Sequence, residues 1–268
     1  MIRAHFGLDQ NPFCAENLDL LSHQREVFET LKVHCQQGGL CVVVGEPGTG
    51  KSVLKEALRL HDPKRLLTPI VNRTLHTYHS VLRILCQAFC IETDGRDFKC
   101  EKRLIEEAHK QNKRGKMLAP IIDDAHLMST DALRRLRLVF EDFPKNHNVI
   151  LFGQPELLYT LTLGVNEDIR SRVTYSAKLD KLAPDDMESW VLRELDRVAL
   201  AHSTFTPEAL DLIVRSGEGV LRRTRNLCIA TLLEAVRDRK RSVDLKQVNR
   251  VLLQPHWRRE QDLPEALP

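Results

Sequence analysis

The segment Gly45-Glu46-Pro47-Gly48-Thr49-Gly50-Lys51-Ser52 directly follows an unbroken apolar run, Leu40-Cys41-Val42-Val43-Val44, and no other stretch of the chain restricts its fold as strongly. A buried strand that runs into a glycine-rich turn and then into a helix over residues 52–60 has the form of a phosphate loop. The glycines let the backbone curl so that successive N–H groups converge on a β-phosphate, and the N-terminus of the helix adds its partial positive charge. Lys51 reaches the β and γ oxygens and Ser52 ligates Mg²⁺. Glu46, Pro47, Thr49 and Val53 supply the remaining backbone around the nucleotide. The chain is expected to bind a nucleoside triphosphate, ATP, together with Mg²⁺.

Hydrolysis needs further groups, and the sequence offers them in order. Met117-Leu118-Ala119-Pro120-Ile121-Ile122 leads into Asp123-Asp124, a buried strand ending in two carboxylates. The first suits the Mg²⁺ shell and the second can polarise the attacking water. A strand over residues 148–153 ends at Gln154, whose amide can sense the γ-phosphate. Arg170 and Arg172 precede a further strand, residues 173–179. An arginine just before that strand can reach the nucleotide of a neighbouring subunit, and Arg172 is the better placed of the two; the alternative is a surface arginine that meets only solvent. In Gly219-Val220-Leu221-Arg222, the arginine at the start of a helix can touch the γ-phosphate from a lid.

Taken together, GEPGTGKS, IIDDAH, FGQPEL, the arginine before the strand and GVLRRTRNL resemble, in order and spacing, the AAA+ ATPases, over about residues 6 to 254. His5-Phe6-Gly7-Leu8, Asn11-Pro12-Phe13, IIDDAH and GQPEL are similar more narrowly to the ExeA branch, whose relatives include the transposition regulators TnsC, TniB and MuB. The resemblance implies that Asp123 coordinates the metal, Asp124 activates water, Gln154 is sensor 1, Arg172 the finger and Arg222 sensor 2. Most such proteins place Glu where this chain has Asp124. The missing methylene shortens the side chain by roughly 1.5 Å, so slow hydrolysis is expected.

The expected fold class is α/β. Helical patterning over residues 24–37, 52–61, 80–90, 99–111 and 130–141 alternates with strands, as in a parallel sheet sandwiched by helices. After Pro184 the strand pattern stops, and residues 185–201, 206–216, 221–239 and 244–253 read as a small all-helical lid. The expected domains are an AAA+ nucleotide-binding domain over residues 1–182, a helical lid over 183–254 and a tail over 255–268. A length of 268 residues and 42% apolar content suit one such domain with its lid. No apolar stretch reaches membrane-spanning length, and Met1-Ile2-Arg3-Ala4-His5 is not followed by the apolar core of a signal peptide, so a cytoplasmic protein is expected. Seven scattered cysteines in apolar segments read as buried thiols.

A net charge of +3 excludes a polycation, yet basic residues cluster at 110–116, at 237–241 and at Arg134, Arg135 and Arg137. Such runs usually form solvated faces. In ring or filament AAA+ ATPases the loops after the second strand face a central channel, so the resemblance implies that Arg73, His76, Thr77, Arg96 and Lys99 track a DNA backbone. The resulting expectation is an ATP-loaded homo-oligomer, ring or helical filament, that binds double-stranded DNA with little sequence preference and recruits a transposase. The alternative is an ExeA-like ATPase associated with secretion, or another cytosolic remodelling factor. ExeA-like chains normally carry a membrane segment and a wall-binding region; this sequence shows neither, which favours the first reading.

Overall fold

A computed structural model describes residues 1–14, 19–72 and 77–257. They form two compact units. Residues 19–46 and 50–180 make an α/β unit; residues 1–14, 47–49 and 181–257 make a helical one. The helical unit starts with α1 (Ile2–Phe6) and resumes after residue 180. The α/β unit runs through α2 (Ser22–Gln37), β1 (Gly39–Gly45), α3 (Lys51–His61), β2 (Leu66–Leu67), β3 (Ile70–Val71), α4 (Tyr78–Ala88) and α5 (Asp97–Lys113). It continues through β4 (Met117–Leu118), β5 (Ile121–Ile122), α6 (Thr130–Glu141), β6 (Asn148–Gly153), α7 (Glu156–Thr162), α8 (Glu167–Arg170) and β7 (Val173–Leu179).

The main sheet has five parallel strands in the order β3-β5-β6-β1-β7, and β2 pairs with β4 beside it. β1 lies between β6 and β7 and is covered on both sides, which is why its apolar run does not alternate with polar residues. Cys41 and Val43 join one core, with Leu31 of α2 and with Leu54 and Leu58 of α3. Val42 and Val44 join the other, with Leu82 and Leu85 of α4 and with Leu133 and Leu136 of α6.

Two neighbouring strand paths are each broken by a proline. Thr68-Pro69 separates β2 from β3, and Ala119-Pro120 separates β4 from β5. The breaks lie side by side, because Leu67 pairs with Leu118 and Ile70 with Ile121. Proline cannot donate to a ladder, but its carbonyl still accepts. Ile121 N–H bonds to the Pro69 oxygen at 2.9 Å and Ile150 N–H to the Pro120 oxygen at 3.0 Å. The strand path therefore holds through both breaks.

The register brings the C-terminal ends of β1, β5 and β6 to one edge: Val44 lies opposite Gly153, and Ile122 opposite Leu151. The residues that follow them, from Gly45, Asp123 and Gln154 onward, emerge there, as ligand sites of open parallel sheets do.

The helical unit adds α9 (Pro184–Asp196), α10 (Pro207–Gly217), α11 (Leu221–Arg237) and α12 (Leu245–Leu252). Thr206 caps α10 by accepting from Ala209 N–H, and Asp244 with Gln247 forms a capping box on α12. α9 ends earlier than the expected residue 201 because Ala199 turns into the left-handed region, at φ 55°. The expected assignment of residues 1–182 to one domain needs correction at its start. Ile2, Phe6 and Phe13 are buried with Met187, Val191 and Leu195, and the Phe13 ring lies 5.9 Å from that of Trp190. The opening segment thus belongs to the helical core.

All seven cysteines are free thiols. Five are buried, whereas Cys14 and Cys90 are exposed, contrary to the expectation for those two. Burial pushes the Cys35 thiol up to about 12, which makes it inert.

Candidate functional site

The loop after β1 holds glycines where only glycine is unstrained. Gly48 has φ 90° and Gly50 has φ 98°, the latter capping α3. Lys51 opens α3 and folds back over the loop, donating to the carbonyl oxygens of Gly45 and, at 2.9 Å, of Glu46. Thr49 is buried. Ser52 and Val53 occupy the first turn, and Val53 N–H bonds to the Gly50 oxygen at 3.0 Å.

Asp123 follows β5 directly, and its carboxylate accepts a hydrogen bond from the Lys55 ammonium. Lys55 also donates to Asn72 Oδ1 at 3.3 Å. Lys55 is buried and lies three residues beyond Ser52, on the same face of α3, so Asp123 faces the turn that carries Ser52. A hydroxyl and one carboxylate are hard oxygen donors, the sparse set with which proteins hold Mg²⁺ beside substrate phosphates. Among the described residues no group of three or more His, Cys, Asp or Glu could hold a metal alone. The donor set therefore fits Mg²⁺ that is completed by phosphate oxygens. Sequence reading missed Lys55; the available signal was its helical spacing from Lys51 and Ser52.

Asp124 adopts φ 50° and ψ 36°. Asp enters the left-handed region more readily than longer side chains do, which gives a backbone reason for the shorter acid here. Its N–H bonds to Asp123 Oδ1 at 3.1 Å while its side chain is exposed. Gln154, the first residue after β6, has its amide nitrogen 2.9 Å from His126 Nε2. A Cβ on Gly153 would come within 3.0 Å of Leu157 Cδ2 and 3.3 Å of His126 N, so glycine allows the turn after Asp124 to close on the strand end. His126 was also missed, although it sits two residues after Asp124 in the acidic motif.

Arg172 lies elsewhere. Leu40 at the start of β1 pairs with Val173, and Gly45 at its end with Leu179. At about 3.3 Å per residue the strand carries Arg172 roughly 20 Å from its own phosphate loop. Its guanidinium is 60% exposed and pairs with Glu141 at 3.0 Å, while Arg170 pairs with Glu167 at 2.5 Å. Arg222 lies in the helical unit with an exposed side chain, and its N–H donates to the Gly48 oxygen at 3.2 Å.

Of the candidate DNA contacts, Arg73 and His76 lie outside the described residues. Thr77 caps α4 by accepting from Ser80 N–H at 3.2 Å, and Arg96 precedes α5. The His79–Asp97 contact at 2.5 Å joins the starts of these two helices, so Thr77, Arg96 and the exposed Lys99 lie near one another. The arginines of α6 are engaged internally. Arg134 bonds to Asp168 and Asn166, Arg137 pairs with Glu141, and Arg135 stacks 3.9 Å over the Tyr78 ring.

Residues 33–161 match the family described as AAA domain. The chain is 28% identical over 246 residues to General secretion pathway protein A of Aeromonas hydrophila, covering 88% of this chain and 45% of that protein. It thus spans about half the length of the curated relative it matches. Its fold is similar to that of Aeropyrum pernix ORC2 in ADPNP–ADP complexes, with TM-score 0.70 and 15% identity over 91% of this chain and 72% of that one. It is also similar to Aeropyrum pernix ORC1 in complex with DNA (TM-score 0.67, 14% identity, 89% and 67% covered) and to a Thermotoga maritima RuvB mutant (TM-score 0.59, 16% identity, 88% and 72% covered). The shared architecture is a parallel sheet flanked by helices and followed by a helical portion. No helix among the described residues is long and apolar enough to cross a membrane.

Proposed function

We propose that this chain is a Mg²⁺-dependent ATPase that works as a homo-oligomer, each subunit lending Arg172 to its neighbour. The observation that carries the ATPase reading is the emergence of Lys51, Asp123, Asp124 and Gln154 from three separate strands at one sheet edge. Lys51 exchanges the loop carbonyls for β and γ oxygens. Ser52 and Asp123 would hold Mg²⁺, whose chemistry there is neutralisation of phosphate charge. Asp124 orients the attacking water, and Gln154 turns its amide from His126 toward the γ-phosphate. Arg172 is separated from its own loop by the length of β7, which favours a role at the next subunit's nucleotide, where a finger stabilises developing charge. Arg222 is assigned the sensor role of the helical unit. Residues 1–14 aside, the domain division of nucleotide domain, lid from residue 183 and tail from 255 belongs to the same reading.

The ATP cycle is proposed to act on double-stranded DNA in the cytoplasm, loading an oligomer that regulates transposition through a transposase. The neighbouring starts of α4 and α5 support this, because two helix N-termini with Arg96 and Lys99 suit phosphate. The secretion reading draws on the similarity to General secretion pathway protein A. Filter binding of duplex DNA from about 50 to 200 mM salt separates the two. The DNA reading expects ATP-dependent binding of little sequence preference that weakens steeply with salt, with a flatter slope after Arg96→Ala or Lys99→Ala. Binding that is absent, or indifferent to ATP and salt, favours the secretion reading and leaves the ATPase assignment standing.

A further inference from the structure

The Gln154 amide and the His126 ring meet where both backbones are already held. β6 ends at Gly153, and the Gln154 carbonyl oxygen accepts from Leu157 N–H at 3.0 Å as α7 begins. His126 lies in a short 3₁₀ turn, Ala125–Leu127, which Leu127 N–H closes on the Asp124 oxygen at 2.9 Å and Met128 N–H on the Ala125 oxygen at 3.1 Å. Gly153 lets this turn come close, since an added Cβ would stand 3.3 Å from His126 N. With the backbones fixed, the contact keeps two freedoms: the half-turn of the amide and the place of the ring proton.

These freedoms are tied together. The amide nitrogen lies 2.9 Å from Nε2. An amide nitrogen only donates, so Nε2 accepts and a neutral ring carries its proton on Nδ1. Nδ1 is buried and has no hydrogen-bond partner, and a buried N–H without an acceptor is seldom tolerated. The opposite pairing removes that defect. The ring then carries its proton on Nε2 and donates to Gln154 Oε1, while the amide nitrogen faces away with both N–H groups in need of an acceptor. One pairing strands a ring donor and the other turns out two amide donors, so an anion on the outer side of Gln154 tips the balance. A phosphate oxygen accepts more strongly than water does, and it would be repelled by the amide oxygen that the first pairing presents.

We propose that His126 sets the preference of the site for a nucleoside triphosphate over a diphosphate, by holding the Gln154 amide in one orientation with Nε2 as acceptor and in the other with Nε2–H as donor. On the hydrolytic reading above, Gln154 faces the γ-phosphate, and this role of His126 rests on it. Arrival of a triphosphate turns the amide through half a turn. The ring gives up the Nδ1 proton and takes one at Nε2, both exchanged with water, so its charge is unchanged. The amide then donates to a γ-phosphate oxygen while its own oxygen accepts from Nε2–H, and no buried ring donor is left over. A diphosphate offers no acceptor at that place, and the first pairing persists. His126 is thus a positioning residue that acts through Gln154.

The test measures equilibrium binding of the β,γ-imido analogue of ATP and, in parallel, of ADP by the full chain. His126→Phe, which neither accepts nor donates, should lower the ratio of triphosphate to diphosphate affinity about fivefold, the worth of one hydrogen bond. His126→Gln, whose amide takes either part, should keep the ratio within about twofold. In a Gln154→Leu background, His126→Phe should change the ratio no further. Nitrogen NMR of the wild-type chain, with the His126 signals identified by their absence from the His126→Gln spectrum, should report Nδ1–H without nucleotide and with ADP, and Nε2–H with the triphosphate analogue. An unchanged ratio in His126→Phe, or the same fall in the Gln154→Leu background, overturns the role of His126. One ring tautomer in all three states overturns the switch, whether or not the His126→Phe variant folds. A wild-type chain that binds neither nucleotide overturns the hydrolytic reading as well, whereas binding with an unchanged ratio in His126→Phe overturns this role alone.

Discussion

Both units of this protein bury charged and polar side chains, but they complete the surroundings of those groups differently. In the helical unit the Glu234 carboxylate, 4% exposed, is held by Arg237 and Arg250. Arg250 also bonds to Asp238, which accepts from Gln247 as well, so the network closes on itself. In the α/β unit the comparable groups sit where strands stop. Lys55 holds Asp123, and His126 holds Gln154 while its own Nδ1 is buried without a partner. A closed network fixes helices against one another. Contacts that can be exchanged at a strand end, beside the exposed Asp124, are what a site that must bind and release a ligand requires.

The sharpest way to break this contrast is to truncate the exchangeable contacts and watch nucleotide alone. Lys51→Ala should abolish ATP binding, since removal of one partner of a desolvated charge pair costs about 2–5 kcal/mol or more. Asp124→Asn should keep ATP affinity and lose turnover. Normal affinity in the Lys51 variant, read by equilibrium nucleotide binding, would end the assignment of the α/β edge as the site. Arg172→Ala comes next. It should leave ATP binding by the single chain intact and lower assembled turnover by about a thousandfold, the usual worth of a finger. Mixing it with Asp124→Asn should restore some activity where an intact finger meets an intact acid. Co-assembly without any restoration means that Arg172 does not act in trans.

The division between the units also explains what the sequence made legible. The chemistry of the α/β edge is written in contiguous stretches, because a phosphate loop or an acidic strand end must use neighbouring residues. The strand over residues 148–153, the strand over 173–179 and the helix over 130–141 emerge with the expected limits. Lys55 and His126 went unread, because the helical spacing of Lys55 from Ser52 and the place of His126 in the acidic motif acquire meaning only once the sheet brings Asp123 and Gln154 beside them. The same holds for Phe13. Its partner Trp190 is far away in sequence, so nothing local assigned the opening segment to the helical core. The arginines of α6 read as a solvated basic face, because Glu141, Asp168 and the Tyr78 ring approach them only in three dimensions.

The closed network of the helical unit predicts a loss of stability without a loss of chemistry. Glu234→Ala removes the carboxylate that joins the exposed Arg237 to Arg250, which keeps Asp238, and should cost about 1–3 kcal/mol. Both tryptophans, Trp190 and Trp257, lie in the helical unit, and all three tyrosines, Tyr78, Tyr159 and Tyr175, lie in the α/β unit. Urea unfolding followed by tryptophan fluorescence should therefore shift, while the tyrosine signal shifts less. If both signals shift equally, the two units unfold as one and the contrast between them is not energetic.

The last expected effect separates the units by pH. Burial pushes the His147 imidazole of the α/β unit down to about 4 from an ordinary 6.5, and the Lys116 backbone opposes this only in part. The folded state keeps the ring neutral where the unfolded chain takes up a proton, so the unfolded state binds more protons between those two values. Stability from this group is complete above about pH 6.5, falls as pH drops toward 4, and changes no further below that. The shift corresponds to about 3.4 kcal/mol. Asp238 and Asp244 of the helical unit lose their contribution in the same direction, but in a lower pH window. Hydrogen bonds from Gln247 and Arg250 lower the first, and one from Lys240 lowers the second, so their contribution persists above the ordinary 3.8 and is lost only as pH falls below it. Urea unfolding at pH 7 and pH 4.5 should therefore weaken the tyrosine-reported transition more than the tryptophan-reported one. His147→Phe should remove that difference by deleting the proton site, whatever it does to stability at pH 7. A wild-type chain whose two signals lose stability equally over this interval would show that His147 is not held neutral, and the packing of the ring beside Phe143 would need another account.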